Sequence, residues 1–439
     1  MLSLRLDRIS PAFDDDHAIA FAGLVQTATL AQRLELRELL DKNVQLGEAP
    51  GHAHAGHKAM TLIHSALAGG ECIDDAAALR AGQSGAVLGH ELRAPSTLGT
   101  FLRSFTWGHV RQLDHVAGEL LARAWTAGAG PDGETVTLDL DSTLCETYGA
   151  NKQGARVSYT GAHGYHPLLA SVAGSGEVVH TRLRGGHANT SRGAGSFLTE
   201  TFKRVRKAGA VGALSIRADS GFYTQSVVSA CRKAGAAFSI TIRLQRNVLQ
   251  VIEAIPDDAW TTIPYWQEGG AEVAETDYFP FRQKQAVRLI ALRTHPAQGS
   301  QLALFTRYTY HAFITDREGE TLDLEADHRR HAEVENVIRE LKYGVGLNHF
   351  PSGRFAANAA WLVLNVIAHN LGRWAIRIGL PSEPGLTTRT LRRRLLCLPG
   401  RLTHSARRWT LHLPLFWPWQ HAFLAMLQRI RAIPSPLPM

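Results

Sequence analysis

The sequence predicts a mixed α/β fold: a helical N-terminal domain, an α/β domain interrupted by a β-rich insertion, and a basic C-terminal region. Three observations carry this. Apolar residues recur at helical spacing through the first 125 residues. The Gly/Ala/Pro segment Ala127–Gly133 breaks that period, and strand-like alternation replaces it. Helical spacing returns at Leu324 after a run of short strand-like segments. With 439 residues, the chain is also too long for one ordinary domain.

Within residues 1–126, Met60, Ile63 and Leu67 share one helix face. Leu98, Phe101, Leu102 and Phe105 share another after a cap at Ser96 or Thr97, and Val110, Leu113, Val116 and Leu120 a third. Thr135–Thr143 then alternates as a strand, and Pro167–Ala173 and Glu177–Arg184 flank Gly174-Ser175-Gly176 as a hairpin. A helix at Gly195–Ala208, a strand at Ala213–Ala218, a helix at Thr224–Ala234 and a strand at Ala236–Leu244 follow. This β-β-β-α-β-α-β succession is the RNase H-like order, in which the first and fourth strands are neighbours whose carboxylates could share metal ions. Residues 134–244 and 324–380 form the two parts of that domain. Residues 245–323 form the β-rich insertion, with strand-like TTIPYW, EVAETDYF, AVRLIALRTH and QLALFTRYTYHAFIT. Helices are expected at Leu324–Tyr343 and Phe355–Ile378; Asn365 and His369 interrupt the second, which reads as buried rather than membrane-spanning. Residues 381–439 hold a basic helix around Leu391–Leu396. A hairpin strand follows, with Trp409, Leu411 and Leu413 on one face and Arg408, Thr410 and His412 on the other.

Composition fits a globular enzyme with a polyanionic partner: 47 Lys+Arg against 39 Asp+Glu give +8 and a pI near 9.5. The charge is uneven. Gly385–Met439 carries nine arginines and no acid, including Arg392, Arg393, Arg394, Arg407 and Arg408, a field that favours phosphates. Cys72, Cys145, Cys231 and Cys397 form no CxxC pair, which argues against a zinc ribbon or disulfide framework and for a reducing cytoplasm. No apolar run near the first residues suits a signal peptide.

Phosphodiester chemistry needs an activated nucleophilic oxygen and a neutralised leaving oxygen, which two hard cations about 4 Å apart can supply. Magnesium demands oxygen ligands. In LDLDST the two-residue period puts Asp139 and Asp141 on one face; Asp141, at the strand's end beside Ser142 and Thr143, is the metal candidate and Asp139 a supporting partner or a hydrogen-bonded structural carboxylate. Asp219 follows the apolar strand ALSIRA where the chain turns through Ser220-Gly221-Phe222; helix capping is its plain alternative role. In HRRHAEVENVIRELKYG the spacing places His328, His331, Glu335, Arg339 and Lys342 on one helix face, so Glu335 is the third candidate, with Arg339 and Lys342 beside it for phosphates. Glu333 and Glu340 fall elsewhere, as solvated ion-pairing residues.

Asp141-Ser142-Thr143, Asp219-Ser220-Gly221-Phe222 and Glu335 with Lys342 seven places on resemble the motifs of bacterial insertion-sequence DDE transposases. TYGANKQGARVSYTGAHGYHPLLA from Thr147 and ELKYGVGLNHFPSGRFAANAAWLVLNVIAHNL from Glu340 are similar to the insertion-sequence thirteen-eighty group. The resemblance spans about Gly51–His412. Where related transposases have Tyr and Arg before the Glu, this chain has His328 and His331. The resemblance implies cut-and-paste movement of an element with inverted-repeat ends into TTAA targets. It also implies two Mg²⁺ ions, or Mn²⁺ in their place, on Asp141, Asp219 and Glu335; double-stranded DNA as partner; DNA binding by the N-terminal domain; and a homodimer holding both ends.

Other residues carry weaker signals. Lys152 and Arg156 follow the first motif and could meet DNA phosphates, with a solvated loop as the alternative. Arg184, His187 and Asn189 could hold a strand near the metals, or the glycines around them simply make a turn. His52, His54, His57 and His64 read as surface histidines rather than zinc ligands. Tyr265 and Trp266 could stack on an extruded base, or form the core of the insertion. A structure-selective nuclease that cannot join strands, and a non-catalytic DNA-binding protein, are the competing functions.

Overall fold

A computed structural model describes residues 6–435 except 50, 134, 150, 159, 267–269, 283 and 296–307. A short strand, β1 (Ala18–Ile19), precedes six helices: α1 (Val25–Arg33), α2 (Leu36–Asn43), α3 (Ala55–Ala68), α4 (Ser84–Leu88), α5 (Pro95–Arg103) and α6 (Trp107–Ala124). α5 starts one residue before the expected caps, at Pro95. Proline suits a first helical position because its missing N–H has no intrahelical acceptor anyway. Thr106 caps α6 by accepting from the His109 N–H. The chain then leaves the helix through Trp125–Ala129, where Gly128 takes the left-handed φ of 95° that glycine tolerates.

The sheet follows: β2 (Thr135–Ser142), the short β3 (Cys145–Glu146), β4 (Arg156–Val157) and β5 (His163–Tyr165), then β6 (Leu168–Val172) and β7 (Val178–Arg182). Next come α7 (Ala194–Lys207), β8 (Ala213–Ala218), α8 (Gln225–Ala234) and β9 (Ala236–Thr241). After α9 (Arg246–Glu253) lie β10 (Thr261–Thr262), β11 (Ala271–Tyr278), β12 (Val287–Thr294) and β13 (Thr309–Thr315). α10 (Thr321–Arg329), α11 (Val334–Arg339), α12 (Phe355–Gly379) and α13 (Thr388–Leu391) precede the hairpin β14 (Gly400–Ser405) and β15 (Arg408–His412), and α14 (Gln420–Arg431) comes last.

Nine of the strands make one sheet in the order β10-β11-β12-β13-β9-β8-β2-β6-β7. β2, β8 and β9 are parallel neighbours, and β6 runs antiparallel to β2. Residues 245–323 extend this sheet: β13 pairs with β9, Thr315 opposite Ser239, and so covers an edge that would otherwise present unpaired N–H and C=O groups. α9 was not foreseen in this stretch; Val248 and Ile252, one turn apart, are its buried positions. Of the expected strand QLALFTRYTYHAFIT, residues 301–307 lie outside the described residues and Thr309–Thr315 is β13.

α12 is apolar on nearly every side, and twenty of its residues are buried, Asn365 and His369 among them. It packs on α1, α3, α5, α6, α14 and β7, so the N-terminal helices and the sheet share one apolar core running from Leu24 to Ile433. Among the described residues no helix is long and apolar enough to cross a membrane. At the other end of the chain, β14 pairs with β1 as well as β15, and Ala22 N–H donates to Leu398 C=O at 2.9 Å.

Glu177, fully buried beside the β6–β7 turn, accepts from the indole N–H of Trp125 at 3.1 Å and from that of Trp374. Burial pushes its carboxyl up to about 7, against the pull of the two indoles. A carboxyl raised in the folded state contributes stability below its unfolded pKa and loses it as pH climbs through the folded value. Between pH 4.5 and 8 this one group is therefore expected to cost the fold about 3 kcal/mol. Urea unfolding across that range, compared with Glu177→Gln, should show the fall in the wild type and a flatter, lower curve in the variant. The variant curve is lower because the amide NH₂ must face one indole N–H.

Candidate active site

β2 and β8 run in parallel with Asp139 opposite Arg217 and Leu140 opposite Ala218. One step on, Asp141 and Asp219 come level at the C-terminal ends of two strands about 4.8 Å apart. Asp141 is recessed, and its carboxyl is pushed up to about 6, first by burial and further by the negative charges of Asp219 and Glu335. The Ser142 N–H, 2.6 Å from Oδ1, and His331 oppose that rise. Asp219 is exposed, and its Oδ1 accepts from the Gly221 N–H at 3.0 Å, capping the 3₁₀ turn Ser220–Phe222. It therefore does cap a turn while its second oxygen has no hydrogen bond among the described residues. A Cβ on Gly221 would stand 2.7 Å from Thr190, so glycine is what lets the 187–192 loop close over this turn.

The third carboxylate arrives by a buried network. Asp139, 2% exposed, accepts from Arg217 Nε and Nη2, each at 2.8 Å, and faces His331 Nδ1 at 3.0 Å. Arg217 Nη1 donates to the Asp327 C=O at 2.8 Å and to its Oδ1 at 3.2 Å. These bonds staple β2 and β8 to the segment Asp327–His331, and the exposed Glu335 follows one turn later on α11. Asp139 is thus a buried, hydrogen-bonded structural carboxylate.

The single helix face expected for His328 to Lys342 is broken. α10 ends at Arg329, residues 330–333 tighten to 3₁₀ geometry, and residues 340–344 widen to a π turn. His328 is consequently not a DNA contact. It is buried, its ring stacks on Phe313 at 4.0 Å, and its nitrogens meet Ser239 Oγ at 2.7 Å and Thr241 Oγ1 at 2.9 Å. Burial, then neighbouring cations, holds it well below the usual histidine range. His331 is occupied with Asp139. Arg339 is exposed and donates to Asn336, while Lys342 Nζ donates to the Leu144 C=O at 2.7 Å, which brings it to the end of β2. Glu333 pairs with Arg330 at 3.0 Å. Glu340 is not a solvated ion-pairing residue: it accepts the Thr388 N–H at 2.6 Å, at the start of α13.

Several residues expected at DNA have other work. Arg184, buried, donates to four carbonyls, His166 at 2.9 Å, Asn189 at 3.2 Å, Thr190 at 2.8 Å and Arg192 at 3.0 Å, and so holds the 187–192 loop instead of a phosphate. Burial lowers it to about 10. Arg392 donates to the Leu67 C=O at 2.9 Å and the Ala66 C=O at 3.1 Å, a cation at the end of α3, and also to the Gly344 C=O. Lys152 donates to the Phe350 C=O, and Arg394 pairs with Glu383 at 3.3 Å. Arg156, Arg393, Arg407 and Arg408 are exposed, the last two at the β14–β15 turn, where Ala406 and Arg407 take φ of 46° and 64°. Asn189 Oδ1 accepts the Arg192 N–H at 2.9 Å, a local turn. Tyr265 donates to Glu325 at 2.7 Å and Trp266 lies under Arg329 at 4.4 Å. His64 is not at the surface; it is fully buried, with Nδ1 2.9 Å from His90 Nε2.

Two site residues escaped the sequence reading. Arg217 had left a signal, a cation inside the apolar ALSIRA. His166 sits between Ser142 Oγ at 3.0 Å and the Ala188 C=O at 2.8 Å, close enough to Asp219 to feel its charge.

Among the described residues, no three His, Cys, Asp or Glu side chains converge tightly enough to grip a metal unaided. The donor chemistry nevertheless fits a hard cation. Asp219 and Glu335 both act as negative charges on Asp141, and among the described residues none of the three is salt-bridged to Lys or Arg. Lys342→Ala should cut cleavage about tenfold or more while leaving metal affinity unchanged, and Lys342→Arg should recover part of the rate. Normal cleavage by the alanine variant at subsaturating DNA would make Lys342 a structural residue only.

No curated protein matches the chain. Among solved structures it is similar to a piggyBac transposase synaptic complex with hairpin DNA, at 10% identity and a TM-score of 0.45, over 95% of this chain and 83% of that one. The family described as Transposase DDE domain group 1 matches residues 4–435, nearly the whole sequence, and the chain belongs to that family.

Proposed function

We propose that this protein is a DNA transposase that cleaves at the inverted-repeat ends of its element and joins the freed 3′-hydroxyls to target DNA at TTAA sites. The observation that carries the reading is the level placement of Asp141 and Asp219 on adjacent parallel strands, with Glu335 near enough for its charge to act on Asp141 and borne by the segment that Asp139, Arg217 and His331 tie to the sheet. The strand order β7-β6-β2-β8-β9 supports an RNase H-like catalytic core. The three carboxylates would hold two Mg²⁺ ions, with Mn²⁺ able to substitute. The chemistry those ions supply when bound is activation of the attacking oxygen and neutralisation of the leaving one.

The chain's own residues do the rest. Asp141 and Asp219 offer oxygens from a rigid sheet end, and Glu335 offers one from a helix that the buried network keeps in register. Lys342 and Arg339 place positive charge toward the phosphates, and Lys342 is steadied by the Leu144 carbonyl. The exposed Arg393, Arg407 and Arg408 extend DNA contact onto the tail. A homodimer in the cytoplasm, one active site per element end, completes the reading.

A donor plasmid carrying the gene with its flanking DNA, incubated with the protein, Mg²⁺ and a target plasmid, tests it. Excision with insertions at TTAA is the expected result. Cleavage without joining would leave a nuclease, and binding without metal-dependent cleavage a non-catalytic DNA-binding protein.

A further inference from the structure

The sheet end that carries Asp141 continues into a second feature. Ser142 pairs with Leu168, and Leu168 in turn with Arg182, so Arg182 stands two strand spacings, about 10 Å, across the same end of the sheet. There it enters a groove of about 540 Å³ between α6, α7 and β7, lined among others by Trp107, Arg111, Asp114, Glu200, Lys203 and Arg204. The charge in this groove is unbalanced. Its carboxylates are both engaged, Asp114 by Arg204 and Glu200 by Arg182 at 2.7 Å. Arg111 and Lys203 are exposed, and among the described residues neither has an ion-pair partner. At the rim Trp107 is 48% exposed, its ring leaning on Phe355 at a centroid distance of 6.3 Å.

Two unpaired cations and a half-exposed indole facing one trough match a sugar-phosphate backbone: the cations meet phosphates and the indole packs against deoxyribose. We propose that the α6–α7 groove binds the DNA duplex flanking the scissile phosphate, with Arg111 and Lys203 as phosphate contacts and Trp107 as the apolar rim. At about 3.4 Å of rise per nucleotide, a groove opening 10 Å from the active carboxylates begins about three nucleotides from the cut. The flanking position and that distance rest on the transposase reading; the groove's preference for a DNA backbone rests on its own charges.

The test is fluorescence anisotropy of the full-length protein with a labelled 30-base-pair duplex of arbitrary sequence between 50 and 200 mM salt. Arg111→Ala/Lys203→Ala should lower the slope of log affinity against log salt by about two, because each lost phosphate contact removes about 0.9. Trp107→Ala should weaken binding with the slope unchanged. Lys233→Ala, at the C-terminal end of α8, should leave both as they are. An unchanged slope in the double variant, or an equal fall per charge in Lys233→Ala, overturns the groove. Metal-dependent cleavage of the donor plasmid is scored separately, so its failure would remove the transposase reading without touching the slopes.

Discussion

Asp141→Asn, Asp219→Asn and Glu335→Gln should each lose cleavage by on the order of a thousandfold or more, equivalent to about 4 kcal/mol of barrier. End-DNA binding should persist in all three, because on the proposed reading affinity comes mainly from phosphate contacts elsewhere. The expectation has a second, opposite readout. Asp141 is a recessed carboxylate whose ionised form is disfavoured by burial and by its two acidic neighbours. Asparagine keeps the Oδ1 that accepts the Ser142 N–H and discards the charge, so Asp141→Asn should melt at or above the wild-type temperature in metal-free buffer. Activity and stability then move in opposite directions, as they do where a site is strained for function. Glu333→Gln and Glu340→Gln should change little, since glutamine can still accept the bonds that Arg330 and the Thr388 N–H donate. Full cleavage by Glu335→Gln would show that another carboxylate does its work.

Asp139→Ala is expected to cost about 3 kcal/mol, the low end for breaking a buried ion pair, because Arg217 is only 1% exposed and would lose both bonds of its fork while keeping those to Asp327. Replacing the pair together, Asp139→Leu/Arg217→Met, removes the charge along with its partner and should recover most of that stability. It should not recover cleavage. His331 would have lost the oxygen that anchors the segment before α11, and Glu335 would no longer be held near Asp141. Urea midpoints and cleavage rates on the two variants separate the effects; restored cleavage in the double variant would show that the network serves stability alone.

The parts of this fold legible in the sequence are those with a strong local period. β2, β6, β7, α7, β8, α8 and β9 fell within a few residues of their expected limits, and with them the neighbourhood of Asp141 and Asp219. What could not be read locally was partnership. The segments of β11, β12 and β13 read as strands whether they fold apart or extend a sheet; only the pairing of β13 with β9 decides it. Arg184 and Arg392 read as DNA-facing cations because nothing in an arginine's sequence neighbours signals that the fold will surround it with backbone carbonyls. The heptad-like spacing from His328 to Lys342 assumed one uninterrupted helix, and the 3₁₀ and π segments shift the phase twice. His64 looked exposed because its partner, His90, lies outside the local pattern.

The pairing of β1 with β14 has a consequence for how the protein is made. Residues 18 and 19 are synthesised nearly four hundred residues ahead of their strand partners, Arg401 and Gly400. α1 likewise waits for α12 and α14. The N-terminal helices therefore have no complete core until α14 has been made, and such long-range closure is slow. A chain halted by an early stop codon cannot assemble its helical half, so truncated products should be cleared rather than persist as inactive rivals for the same DNA.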